Sequence, residues 1–425
     1  MTLLLKEVRI KDPKSSQYNK IVDLSIKDGK IDNIGTSLHA TSSETVIDGK
    51  GQDLYPGLID VGVFGGDPGL EHRESIKTLL STAEAGGFTD IYYYPNLNPV
   101  THSISEIEYI HNRASVFGCR LHPIGAISRH CEGEDITEMY DMSQSGVRCF
   151  SDGKRPVKHG GLLLRALLYV KKINGLIINH PSDDHIFPEG HMHEGQVSTR
   201  LGLRGIPDIT ETIMLERDLH LAEYTGSRLH VAAISSTGSV QLLRKAKAKG
   251  LKVTASVPIW NLCFTDEALE DFDTNYKMQP PLRTAEDREA LIEGLKDGTI
   301  DCITSHHTPI DQEEKALEFP YAKPGAVALQ LAWAISHQHL SGYFNEDELV
   351  KFWVDGPSQV MGTERAIIDK GQKINAFLYD KNFEYNLNKI NNKSKSINYP
   401  NWSTAQKGAI LATFIGQRYN SYFNA

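Results

Sequence analysis

A chain of 425 residues can hold one large α/β barrel with a small appended unit, or two ordinary domains. Its 40% hydrophobic and 23% charged residues exclude a disordered or fibrous protein and call for a sizeable core. The 45 basic and 54 acidic side chains leave a net charge of −9 with no long block of one sign, so nucleic acid is not an expected partner.

The chain opens MTLLLKEVRIKD, an apolar run of three leucines that is too short for a secretory core or a membrane span, and a cytoplasmic location is expected. Residues 1 to about 55 alternate as short strands, with Lys6-Glu7-Val8-Arg9-Ile10 and Ile21-Val22-Asp23-Leu24-Ser25-Ile26 separated by turn signals at Lys27-Asp28-Gly29 and Asp48-Gly49-Lys50-Gly51. From Leu58 onward, short apolar strands alternate with amphipathic helices. The strands are Ile91 to Tyr94, Leu121 to Ile124, Leu176 to Asn179, Leu229 to Ala232 and Ile300 to Ile303. That alternation predicts a parallel α/β barrel or a doubly wound sheet. From about Gly371 strand-like segments return at Ile374 to Tyr379 and Ala409 to Ile415, and the polar stretch Asn386 to Ser396 between them reads as a surface loop or mobile linker. Five cysteines (119, 131, 149, 263, 302) contain no Cys-x-x-Cys pair and read as reduced, mostly buried thiols.

Eight segments in order carry a resemblance that spans nearly the whole chain. They are Tyr55-Pro56-Gly57-Leu58-Ile59-Asp60, Asp67-Pro68-Gly69, Gly86-Gly87-Phe88-Thr89, Pro95-Asn96-Leu97-Asn98-Pro99-Val100, Phe150-Ser151-Asp152, Glu194-Gly195-Gln196-Val197-Ser198-Thr199-Arg200, Lys277-Met278-Gln279-Pro280-Pro281-Leu282-Arg283 and Asp297-Gly298-Thr299-Ile300-Asp301. Together they resemble the bacterial dihydroorotases of the cyclic amidohydrolase superfamily, close to the type found in multifunctional complexes. The resemblance implies a (β/α)8 barrel over residues 56–365 and a small composite β domain from residues 1–55 and 366–425. It also implies zinc-bound hydroxide attacking a cyclic amide, with an aspartate moving the proton.

Matched position by position, the same resemblance implies that the metal chemistry is lost. The Asp-x-His-x-His segment after the first barrel strand reads Asp60-Val61-Gly62-Val63-Phe64, so Gly62 and Phe64 stand where two imidazoles belong. Gly66 replaces the arginine that grips a substrate carboxylate, Ala233 a ligand histidine, His306 the proton-shuttling aspartate and Ile310 a substrate-facing histidine. Asn96 and Gln279 remain as candidate substrate contacts, and His180 and Asp152 as relics of the metal set. No cofactor is expected, with zinc only if a new site has been rebuilt from His180, His306 and His307.

The function implied is a silent dihydroorotase-like protein of pyrimidine synthesis, a pseudoenzyme that partners aspartate transcarbamoylase and forms oligomers. The alternatives are an active cyclic amidohydrolase with a rebuilt metal site, and a small-molecule binding protein that uses the emptied pocket. Among other polar groups, His191-Met192-His193 reads as a loop, Lys154, Arg155 and Lys158 as a solvated loop, and Glu211, Glu216, Arg217 and Asp218 as the polar face of a helix.

Overall fold

The computed structural model describes residues 2–40, 45–400 and 404–423. Eight short parallel strands form the barrel: Leu58–Val63, Phe88–Tyr93, Arg120–Pro123, Cys149–Phe150, Leu176–Asn179, Leu229–Val231, Val253–Pro258 and Cys302–Thr304. Direct ladders join the first three strands to one another and the last five to one another. A bridge from Gly125 to Phe150 connects the two groups on one side. On the other, the Phe64 amide donates to the His307 carbonyl at 2.8 Å and the Thr304 hydroxyl to Asp60 at 2.6 Å, closing the ring. This is the (β/α)8 architecture expected, although the eighth strand runs Cys302–Thr304 rather than starting at Ile300.

The strands are apolar on both faces because helices cover them outside and other strands face them inside. Alternation then sorts the side chains. Ile59 and Val61 from the first strand, Tyr92 from the second, Tyr94 just beyond it, and Leu176 and Ile178 from the fifth share one buried cluster that also contains Phe64. The barrel interior is thus packed with hydrocarbon and ring, up to the level where the loops begin.

Both termini contribute to one eight-stranded sheet. Thr2–Ile10 pairs with Ile21–Lys27, Thr45–Asp48 and Asp53–Pro56, and Asn375–Asn386 joins from the far end of the chain by antiparallel pairing with Asp53–Pro56, where Phe377 faces Tyr55. Lys30–Gly35, antiparallel to Ile21–Lys27 at one edge, and Ala405–Ile415 and Arg418–Ser421 at the other complete it. A buried ion pair between Arg365 and Asp12 ties the end of the barrel to the first strand's exit. All five cysteines are buried and free. Among the described residues no helix is long and apolar enough to cross a membrane.

Two sequence expectations fail here for the same reason. The stretch Asn386 to Ser396 is only partly a surface loop. Ile390 is exposed, but Ser394 and Ser396 are buried on top of the barrel, where the Ser394 hydroxyl donates to Glu74 and the Ser396 hydroxyl to the carbonyls of Arg73 and Ile310. Asn398 follows, donating to the carbonyls of Thr308 and Gly325 at 3.0 Å. Likewise Glu211 and Asp218 are not on a solvated face. Both are buried, on the inner side of helix Ile209–Thr225. Polar composition indicated water; partners distant in sequence supply the hydrogen bonds instead.

Candidate active site

The carboxy-terminal ends of the strands surround a cavity of about 230 Å³ that is lined by Arg73, Lys154, His180, Gln279, His306 and Lys323, among others. Two of its lining residues, His306 and Lys154, rest against an aromatic ring. The Phe64 ring stacks on Tyr94 with centroids 4.5 Å apart and meets the edge of His306 at 5.4 Å; His306 in turn lies edge-on to His180 at 5.8 Å. The Lys154 ammonium sits 4.4 Å above the Phe64 ring, a favourable place for a cation over a π face.

Residues that would have to hold a metal do not fit one. A Cβ built on Gly62 would fall 2.5 Å from the Tyr94 ring and hydroxyl, so the space into which a side chain at 62 would project is filled by the tyrosine. Phe64 occupies the neighbouring place with an inert ring. Asp60 is buried and accepts from the Gly62 amide at 3.1 Å, the Thr304 hydroxyl at 2.6 Å and the Ser305 amide at 2.9 Å. Asp152 accepts from the Ile127 and Ser128 amides at 2.8 and 2.9 Å and from the Ser128 hydroxyl, which spends it on a loop. Ala233 offers only backbone, and His230 is held between Thr254 at 2.9 Å and Ser256 at 3.0 Å. The substrate arginine has no room either. A Cβ on Gly66 would lie 2.0 Å from the Leu70 carbonyl oxygen.

The surviving residues divide. His180, Gln279, His306 and Ile310 all line the cavity. Asn96 turns away from it: its side-chain amide donates to the Asp152 carbonyl at 2.9 Å, and its oxygen accepts from the Lys154 amide at 3.0 Å. His307 also departs from expectation. It is fully buried behind the site, 3.6 Å from Glu74 and 3.4 Å from the Leu329 amide, so it does not share the mouth with His180. His306 donates from Nε2 to the Gln279 carbonyl at 2.9 Å. Neither ring nitrogen of His180 has a hydrogen-bond partner among the described residues.

Lys154 is not simply a solvated loop residue. The residue as a whole is exposed, but its ammonium end lies within the cavity walls, where burial and the Arg73 charge bring its pKa down to about 7. Arg73 itself is held by Glu314 at 2.7 Å. Met192–His193 pairs with Gly205–Ile206 rather than forming an open loop, and His193 contacts Arg283 at 3.1 Å. Tyr94, Arg73 and Lys323 were missed in the sequence. For Tyr94 a signal existed, since alternation sends Tyr92 and Tyr94 of the Tyr-Tyr-Tyr run inward together.

Comparison with known proteins agrees with this frame. The dihydro-orotase-like family profile matches residues 51–239. The dihydroorotase of Pelotomaculum thermopropionicum is 38% identical over 420 residues, covering 98% of each chain, and that of Trichlorobacter lovleyi is 36% identical over 418 residues with the same coverage. The chain belongs to the dihydroorotase family. Among solved structures, the L-hydantoinase of Arthrobacter aurescens superposes with a TM-score of 0.83 at 21% identity, covering 100% of this chain and 97% of that one. A dihydropyrimidinase from Brevibacillus agri reaches 0.80 at 18% identity, covering 99% and 95%. These likenesses establish the TIM-barrel amidohydrolase fold.

Two buried imidazoles, His180 and His230, and two half-buried ones, His306 and His337, make stability sensitive to acid. Burial lowers the pKa of His180 and His337 to about 4 and of His230 and His306 to about 3. Each is neutral in the folded chain and charged below about 6.5 when unfolded, so each contributes stability above pH 6.5 that is lost as pH falls toward the folded value. Asp152 and Asp218, raised by burial to about 6, act oppositely between pH 4 and 6. Four histidines outweigh two aspartates, and stability should fall by about 1–3 kcal/mol per pH unit near pH 5. Urea unfolding at pH 7, 6 and 5 checks this; a flat or rising profile would contradict the burial of these rings.

Proposed function

We propose that this chain is a catalytically silent dihydroorotase homologue of de novo pyrimidine synthesis, which serves as a structural or regulatory partner of aspartate transcarbamoylase. The observation that carries the silent reading is the Tyr94 ring, standing where any side chain at position 62 would begin. Zinc chemistry needs at least three aimed ligands and an open position. The family positions here retain one unengaged imidazole, that of His180. The scaffold is kept while its ligands, its arginine and its proton shuttle are replaced together, which fits a protein retained for its shape. Family membership supports the pathway, and the partner is what the resemblance of the sequence implies.

The partner assignment has a direct test. Affinity purification of the tagged chain from its own cells should recover the transcarbamoylase in stoichiometric amount, and its repeated absence sinks that part of the proposal. A second reading, an active hydrolase with a rebuilt site, is favoured only by the shared position of His180 and His306 at the cavity. Protein purified without chelator from zinc-supplemented cells should carry far less than one zinc per chain; one tightly held zinc would support that second reading instead.

A further inference from the structure

The cavity is better equipped to bind an anion than to perform chemistry. Of the three cations that line it, Arg73 is neutralised by Glu314, whereas Lys154 and Lys323 have no carboxylate within 4 Å among the described residues. Lys154 is presented over the Phe64 ring rather than to solvent alone. His180, 6% exposed, leaves both ring nitrogens without partners among the described residues in a wall of the same cavity, an arrangement that costs free energy unless something polar completes it. The wall that carries Lys323 is itself fixed: the buried Lys315 ammonium donates to the carbonyls of Thr274, Lys277 and Lys323, and Lys277 to those of Phe319 and Pro320.

We infer that this pocket is a metal-free binding site for a compact oxyanion ligand, a carboxylate or phosphate, whose charge meets Lys154 and Lys323 and whose polar body meets His180 and Gln279. The inference rests on the silent reading, because zinc in the same place would take His180. Occupancy would couple the pocket to the loops that carry Lys154 and Lys323, giving a protein without turnover a means of sensing a small metabolite.

The test is calorimetric titration of the full chain with malonate, with inorganic phosphate and with neutral malonamide, the zinc content of the same sample being measured. Malonate or phosphate should bind and malonamide should not; whichever of the two is preferred identifies the source. Lys154→Met should weaken binding at least tenfold, the loss of one charge-assisted hydrogen bond, while Lys154→Arg keeps most of it. Equal binding by wild type and Lys154→Met, equal binding of malonamide and malonate, or no binding by zinc-free protein would overturn the site. Stoichiometric zinc in the sample would instead count against the silent reading on which it rests.

Discussion

Replacing Glu211 with alanine should destabilise the chain by about 3–5 kcal/mol, the cost of leaving a buried cation without its partner. Glu211 is buried in helix Ile209–Thr225. It accepts from the Ser235 and Ser236 amides at 3.0 and 3.1 Å and from the Ser239 hydroxyl at 2.6 Å, with Arg283 at 3.4 Å and also buried. Burial by itself would raise the carboxyl's pKa, but the Arg283 charge and the serine donors outweigh it and the net shift is downward. Removal therefore strands a guanidinium and two amides at the end of the sixth barrel strand. Glu211→Gln, which keeps an acceptor but not the charge, should fall between wild type and Glu211→Ala in urea melts. If Glu211→Ala were within about 1 kcal/mol of wild type, the network would be a surface feature after all.

The second large effect concerns restoring the lost ligands. Introducing histidine at both Gly62 and Phe64 recreates the family's sequence, yet the double variant should bind no zinc tightly, show no hydrolysis, and lose about 1–3 kcal/mol of stability through overpacking against Tyr94. The Tyr94 ring would have to leave a buried cluster in which it stacks on position 64. Adding Tyr94→Ala to the pair should recover space and raise zinc affinity relative to the double variant, at a further stability cost from the lost ring. Arginine at Gly66 should fare worse, since its Cβ would collide with backbone rather than with a movable side chain. Denaturant melts and metal titration together separate these outcomes. Tight zinc binding by the double variant with Tyr94 intact would mean that the ring moves freely, and the steric account would fail.

How much of this was legible in the sequence depends on what each residue's environment required. The barrel strands were readable because parallel strands buried on both faces are short and apolar, as in Leu176 to Asn179. Phe64 as a filler of the site was readable from residue type alone. The role of Gly62 was only half readable: the missing imidazole was visible, but not that Tyr94 closes the gap. Asn96 kept its family place while its carboxamide went to the Asp152–Lys154 loop, a choice of rotamer that no motif records. The inward turn of Glu211 and Asp218, seven residues apart and so on one helix face, needed partners such as Arg283 and Asn179 that lie far along the chain. The buried serines 394 and 396 have the same explanation, since a polar segment can be internal when carbonyls and Glu74 are waiting for it.

The claim that the scaffold persists without its chemistry is tested most directly by assaying dihydroorotate hydrolysis, in both directions of the ring-opening equilibrium, with the purified full chain in the presence of zinc and beside an active family member. The account predicts a rate indistinguishable from the protein-free control at every zinc concentration. Zinc-dependent turnover that copurifies with the chain and disappears on substituting His180 or His306 would contradict it.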